Sequence, residues 1–171
     1  EKGMVVVAST GNQGDYGFYA AGAPGLGKNV IAVASYDNME VRSPVFDVNG
    51  TDIPFFVASQ SPPPPTSGSL VFEPVGLACD PIGIDLTGKA ALISRGTCAF
   101  GSKATNAVIA GAAAVVVYNN QPGDIILDLG GVIGDGTVPV VSISQANGAF
   151  ILAQTAPVSM TWTDELLVTP S

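Results

Sequence analysis

Histidine is absent from this chain of 171 residues. That excludes a histidine general base, a complete Ser-His-Asp set and the commonest zinc ligand from within it. Charge is scarce: 12% of residues are charged, 6 basic against 14 acidic, for a net charge of −8. A surface of that sign repels phosphate backbones, so neither nucleic acid nor an anionic membrane is an expected partner. No apolar run approaches the roughly 20 residues of a membrane-spanning helix. Nor is a secretory leader visible, because Glu1-Lys2 leads directly into a strand-like run, and the sequence is expected to be a mature or internal piece. Cysteine occurs twice, at Cys79 and Cys98. Two thiols cannot complete a structural zinc site, and their spacing is not that of a redox CxxC. A reactive thiol and a disulfide are the two readings; the disulfide is adopted, which places the protein in an oxidising compartment.

What is present is apolar: 47% of the residues are hydrophobic, enough for one sizeable core. The organising stretch is Gly88 to Asn120. Ala90-Ala91-Leu92-Ile93 is short enough for a buried strand, and a helix is predicted from apolar or small residues at Phe100, Ala104, Ala107, Val108 and Gly111. Lys103, Thr105 and Asn106 fall between them and are assigned to its wet face. Ala113 to Tyr118 follows as a second buried strand. A crossover this short implies a parallel pair.

Upstream, Gly3 to Ser9 is a continuous apolar run of the kind buried on both faces of a parallel sheet, and Asn29 to Ser35 repeats it beyond a glycine-rich loop. From Arg42 the pattern turns to alternation, with a hairpin predicted about Asn49-Gly50. Asn49-Gly50-Thr51 is also a glycosylation sequon, compatible with an exposed turn. Ser61 to Ser69 reads as an extended proline-rich loop, and Leu70 to Pro81 as an irregular, partly extended segment. Asp124, Asp128 and Asp135 lie among glycines but match no calcium-loop spacing, so no metal is expected, and no glycine-rich phosphate loop is complete. Val138 to Ile143 is predicted as a strand, followed by a short helix capped by Ser144 and a last strand over Val158 to Thr163 with Trp162 as a core plug.

Two family resemblances carry the functional reading. Gly88-Lys89, Arg95-Gly96-Thr97-Cys98-Ala99-Phe100, Ala110-Gly111-Ala112, Asn119-Asn120 and the later run Val138 to Ser144 resemble, in order, the signatures of the protease-associated (PA) domain. That resemblance implies a non-catalytic module embedded in a larger secreted or membrane-bound hydrolase. The run Val5 to Gly14 with Lys28 to Ser35 is similar to the subtilisin-like serine proteases around their oxyanion-hole asparagine. It implies that Asn12 donates to the developing oxyanion and that Ser9, Thr10 and Gly11 line the primary specificity pocket. Such a donor supplies about 2.7–4 kcal/mol of transition-state stabilisation. The triad motifs of that family do not occur here, so the chain alone is not expected to be active.

The expected fold is mixed α/β (α+β): a partly open PA-domain β-barrel of six or seven strands with two short helices, preceded by two strands of a subtilisin-type parallel sheet. Residues 1–43 are expected to belong to the catalytic domain, 44–163 to the PA domain and 164–171 to the return. The expected function is an accessory domain, with an oxyanion-hole segment, of a secreted subtilisin-like endopeptidase, modulating access of protein or peptide substrates. Its expected partner is the rest of that catalytic domain, and no cofactor is implied. The alternative is a free-standing module that binds a peptide or glycan, which would have no need of the Gly3–Ser35 strands.

Overall fold

The computed structural model describes residues 3–11, 21–34, 40–122, 129 and 136–170. It divides into two compact units, Glu1–Met39 and Glu40–Ser171. In the first, β1 (Val6–Ser9) and β2 (Val30–Val33) pair in parallel, with Val6 opposite Val30 and Ser9 opposite Val33. These apolar strands lie uncovered in this unit: Val7, Ile31 and Val33 are all more than half exposed. Two strands supply no layer of their own to cover either face, whatever their sequence.

The second unit contains β3 (Glu40–Val48), β4 (Thr51–Pro54), β5 (Phe56–Val57), β6 (Ser69–Pro74), β7 (Lys89–Ser94), α1 (Phe100–Ile109), β8 (Ala114–Tyr118), β9 (Val140–Ile143), α2 (Gln145–Leu152) and β10 (Ser159–Pro170). The barrel expectation is overturned here. The fold is mostly β, and its eight strands form one continuous sheet in the order β4-β3-β10-β6-β7-β8-β9-β5. The outermost strands β4 and β5 are consecutive in the chain, joined through Phe55, yet they belong to opposite ends of this order and no ladder pairs them. Strands β6 to β9 are parallel neighbours stacked like successive turns of a solenoid, whereas β3, β4, β5 and β10 make antiparallel pairs.

Period-two alternation distributes the parallel strands between two cores. Ala90, Leu92, Ala114, Val116, Val141 and Ile143 enter one cluster, with Phe46, Phe72 and Trp162. Ala91, Ile93, Val115, Val117 and Val140 enter the other, under Ala104 and Ala107 of α1. Strands buried on both faces read as unbroken apolar runs, which is why their sequences do not alternate. The first cluster is aromatic at its centre: the Phe46 ring stacks on Phe55 at 5.7 Å and meets Trp162 edge-on at 5.8 Å. Trp162, 3% exposed, is the core plug its sequence position suggested.

Local chemistry sets the boundaries. The β3–β4 hairpin turns at Asn49 (φ 53°) and Gly50 (φ 81°), the left-handed pair that a two-residue hairpin requires. Ser144 caps α2, its Oγ accepting from the Asn147 N–H at 3.1 Å. The segment expected to be irregular contains β6, because Val71, Phe72, Glu73 and Pro74 pair in parallel with Lys89 to Leu92 of β7. One side chain is reversed: Lys103, placed on the wet face of α1 by its charge, is fully buried.

Candidate functional site

The R-G-x-C segment links the C-terminal end of β7 to α1, and the side chains of Arg95 and Asn119 fasten its start. The Arg95 Nη1 donates to Asn119 Oδ1 at 3.1 Å, while the Arg95 N–H donates to the Tyr118 carbonyl at 2.9 Å. Asn119 Oδ1 also accepts from the Gln121 N–H at 3.1 Å, and its own N–H reaches the Ile143 carbonyl at 3.0 Å. The C-terminal ends of β7, β8 and β9 are thereby tied into one rim.

Below that rim, Cys79 and Cys98 form a disulfide with a Cα–Cα separation of 5.7 Å. A loop closed over 19 residues is worth about 3 kcal/mol in the chain-entropy account. Beside the bond lies Lys103, which donates from Nζ to the Leu77 carbonyl, to the Ser94 carbonyl at 3.0 Å, and towards Cys79 Sγ at 3.9 Å. The buried ammonium has no carboxylate among these partners, and desolvation holds its pKa below the ordinary lysine value. Asn106 completes the fastening, its Nδ2 donating to the Ala78 carbonyl at 3.0 Å. The segment so held lines a surface cleft of about 430 Å³ whose walls include Val75, Leu77, Cys79, Asp80, Ile82 and Ile84. An open cleft of mixed polar and apolar lining, with Asp80 on its wall, can take a side chain of a peptide. Among the described residues no cluster of three or more metal-ligating side chains occurs.

The residues assigned by subtilase resemblance lie in the first unit. Ser9 ends β1, opposite Val33. Thr10 is held to β2 by its N–H and its hydroxyl, both donating to the Val33 carbonyl at 3.0 and 3.3 Å. Gly11 has φ 96°, a backbone that only glycine adopts freely. Buried Gly25 approaches the same strand end so closely that a Cβ on it would come within 2.8 Å of the Ser9 carbonyl oxygen. Asn12 lies outside the described residues, as do Asp124, Asp128 and Asp135. Asn49 is exposed at its hairpin tip, with Nδ2 3.4 Å from Gln154 Oε1.

The sequence reading missed Lys103. A signal existed, since residue 103 falls three after Phe100 and four before Ala107, on the buried stripe itself. Its charge outweighed its position.

Comparison with known proteins gives the same picture as the R-G-x-C rim. The PA domain family matches residues 66–151. The minor extracellular protease Vpr of Bacillus subtilis is 32% identical over 166 residues, covering 86% of this chain and 18% of that protein. A probable leucine aminopeptidase 2 of Aspergillus fumigatus is 46% identical over 70 residues, 40% of this chain and 14% of the relative. Among solved structures, a zinc aminopeptidase from Bacillus subtilis superposes with a TM-score of 0.58 at 28% identity, covering 79% of this chain and 32% of that one. The chain thus spans less than a fifth of the length of these two curated relatives. With its family signatures spread along β7, α1, β8 and β9, this chain belongs to the PA domain family.

Proposed function

We propose that this chain is the PA domain, with an adjoining catalytic segment, of a secreted subtilisin-like serine endopeptidase, and that it modulates access of protein substrates. The observation that carries this reading is the ladder between β3 and β10, in which Glu40 faces Pro170 and Ser43 faces Leu167. A unit whose first and last strands pair antiparallel receives and returns the chain at one point, as an insertion must. The paired residues 40–44 and 166–170 are then the neck, with residues 1–43 and 164–171 assigned to the catalytic domain and 44–163 to the PA domain.

The parallel pair β1–β2 supports the same reading, because exposed parallel strands need covering layers that two strands do not supply. So does the similarity to the extracellular protease, which covers 86% of this chain where the leucine aminopeptidase matches cover 36–60%. In this reading Asn12 donates to the oxyanion and Ser9, Thr10 and Gly11 line the specificity pocket, at a strand end fixed by the Thr10–Val33 bonds. The exposed sequon at Asn49 accepts a glycan where the secretory pathway supplies one.

The test is fluorophosphonate labelling of the protein isolated from its source, followed by peptide mapping. A labelled serine in a polypeptide continuous with residues 1–171, or held tightly to them, is the expected result. A single unlabelled species near 17.2 kDa overturns the protease reading for that material.

A further inference from the structure

The two sulfurs of the disulfide do not share one environment. Cys79 Sγ has the Lys103 ammonium at 3.9 Å and the Thr97 hydroxyl at 4.0 Å. Among the described residues no such donor approaches Cys98 Sγ. Lys103 is fixed in place: its side chain is fully buried, and its Nζ is held by the Leu77 and Ser94 carbonyls, which leave it no carboxylate partner. Both cysteines are only partly buried, and Cys79 lines the cleft.

In thiol–disulfide exchange the incoming thiolate bonds to one sulfur and expels the other with the electron pair of the broken S–S bond. The better-stabilised thiolate leaves, and a neighbouring cation stabilises it. We propose that Cys79–Cys98 is a thiol–disulfide exchange site for small thiols and dithiols, polarised by Lys103 and Thr97 so that Cys98 takes the incoming thiol and Cys79 leaves as thiolate. The steps balance. The attacking thiolate forms a mixed disulfide with Cys98, and the negative charge passes to Cys79 Sγ beside the ammonium. With a dithiol, its second thiolate then attacks its own bound sulfur, releasing the Cys98 thiolate, which takes a proton, and departing as the oxidised cyclic disulfide. The dithiol is oxidised and the protein disulfide reduced.

The structural consequence lies at the cleft. The disulfide is one of three ties that hold the loop at residues 77–79 against the α1 end, the others being Lys103 to Leu77 and Asn106 to Ala78. Exchange removes the covalent tie and leaves two hydrogen bonds, so the cleft wall becomes the part of the molecule that responds to the thiol pool.

The experiment treats the folded, oxidised protein with limiting glutathione, alkylates the released thiol with iodoacetamide, and maps both adducts by peptide mass. Glutathione on Cys98 and the alkyl group on Cys79, in severalfold excess over the reverse pair, is expected, because the sulfur beside the ammonium is the better leaving group. Equal distribution, or glutathione chiefly on Cys79, overturns the proposal. Lys103→Met is expected to cut the preference severalfold, leaving only what Thr97 supplies; an undiminished preference in this variant refutes the role of Lys103. Should Lys103→Met fail to fold, Lys103→Gln and Thr97→Val carry the same comparison, and the distribution in the unaltered protein decides the direction of exchange by itself.

Discussion

The Nζ of Lys103 lies 3.0 Å from the carbonyl oxygen of Ser94 and also donates to that of Leu77, so one buried ammonium joins the end of β7 to the cleft loop. Replacing it with methionine keeps most of the volume but leaves two acceptors without a donor. At about 1–3 kcal/mol per unsatisfied buried group, Lys103→Met should lose on the order of 2–5 kcal/mol, read as a lower urea midpoint. Its pH dependence has a definite sign. The folded pKa is depressed by desolvation, so between that value and the ordinary lysine pKa the unfolded chain binds more protons than the folded one. Stability therefore rises with pH through this alkaline window in the unaltered protein. The rise should disappear in Lys103→Met.

Asp85 gives the opposite limb. Its carboxylate accepts from the Thr87 hydroxyl at 2.6 Å and from the Thr87 N–H at 2.9 Å, and these bonds, led by the hydroxyl, hold its pKa below the usual aspartate value. A depressed carboxylate contributes stability that is present above the unfolded pKa and lost as pH falls through the folded one. Thr87→Val removes the larger cause. Urea melts from neutral to acid pH should show a shallower acid loss in Thr87→Val than in the unaltered chain, and Asp85→Asn should remove that difference between the two backgrounds.

Much of this architecture was legible because burial on both faces leaves a strong trace. The runs at Ala90–Ile93 and Val115–Val117 cannot be amphipathic helices or half-exposed strands, and they are strands buried on both sides. The hairpin at Asn49-Gly50 and the Ser144 cap were legible for local reasons, a left-handed pair and an oxygen at a helix start. The strand order was not. Nothing in residues 69–74 announces that they pair with β7, because β6 is only partly buried and its Pro74 suggests a loop. Closure into a barrel failed as an expectation because it depends on whether β4 and β5 pair, a relation between distant ladders that the sequence pattern does not encode. At the site, the disulfide was legible from cysteine arithmetic. Lys103 stood legibly on the buried stripe of α1, but hydropathy assigns lysine to water, and the two carbonyls that meet it, one of them in a distant loop, leave no trace in the sequence.

Glycines at two positions separate backbone from side-chain crowding. A Cβ on Gly148 of α2 would fall inside contact distance of Tyr118 Cβ and 2.5 Å from its Cγ, atoms anchored to β8 that cannot swing away. A Cβ on Gly96 would overlap the terminal methyl of Leu77, a 44% exposed side chain that can change rotamer. Gly148→Ala should therefore cost about 1–3 kcal/mol, as overpacked cores do, and Gly96→Ala less than about 0.5 kcal/mol. Chemical denaturation of both variants checks the contrast. Equal losses would mean that the Leu77 side chain is as immobile as β8.

The neck makes the insertion reading directly testable. Pro44 stands opposite Leu166 and Ser43 opposite Leu167, in an antiparallel ladder whose opposed Cα atoms are about 4.5–5.5 Å apart. Residues 45–165 can thus be removed from the full-length protein and replaced by Asn-Gly between Pro44 and Leu166, the dipeptide that closes a two-residue hairpin without strain. On the proposed reading, the excised protein keeps its catalytic core. Fluorophosphonate labelling should persist, and kcat/KM on a short peptide should stay within about tenfold, a change below about 1.4 kcal/mol in transition-state energy. Hydrolysis of folded or large protein substrates should change by more than that, because access is the step assigned to the inserted unit. Loss of labelling together with loss of folding would show that residues 45–165 form part of the catalytic core itself. Equal effects on peptide and protein substrates would remove the role in access while leaving the insertion intact.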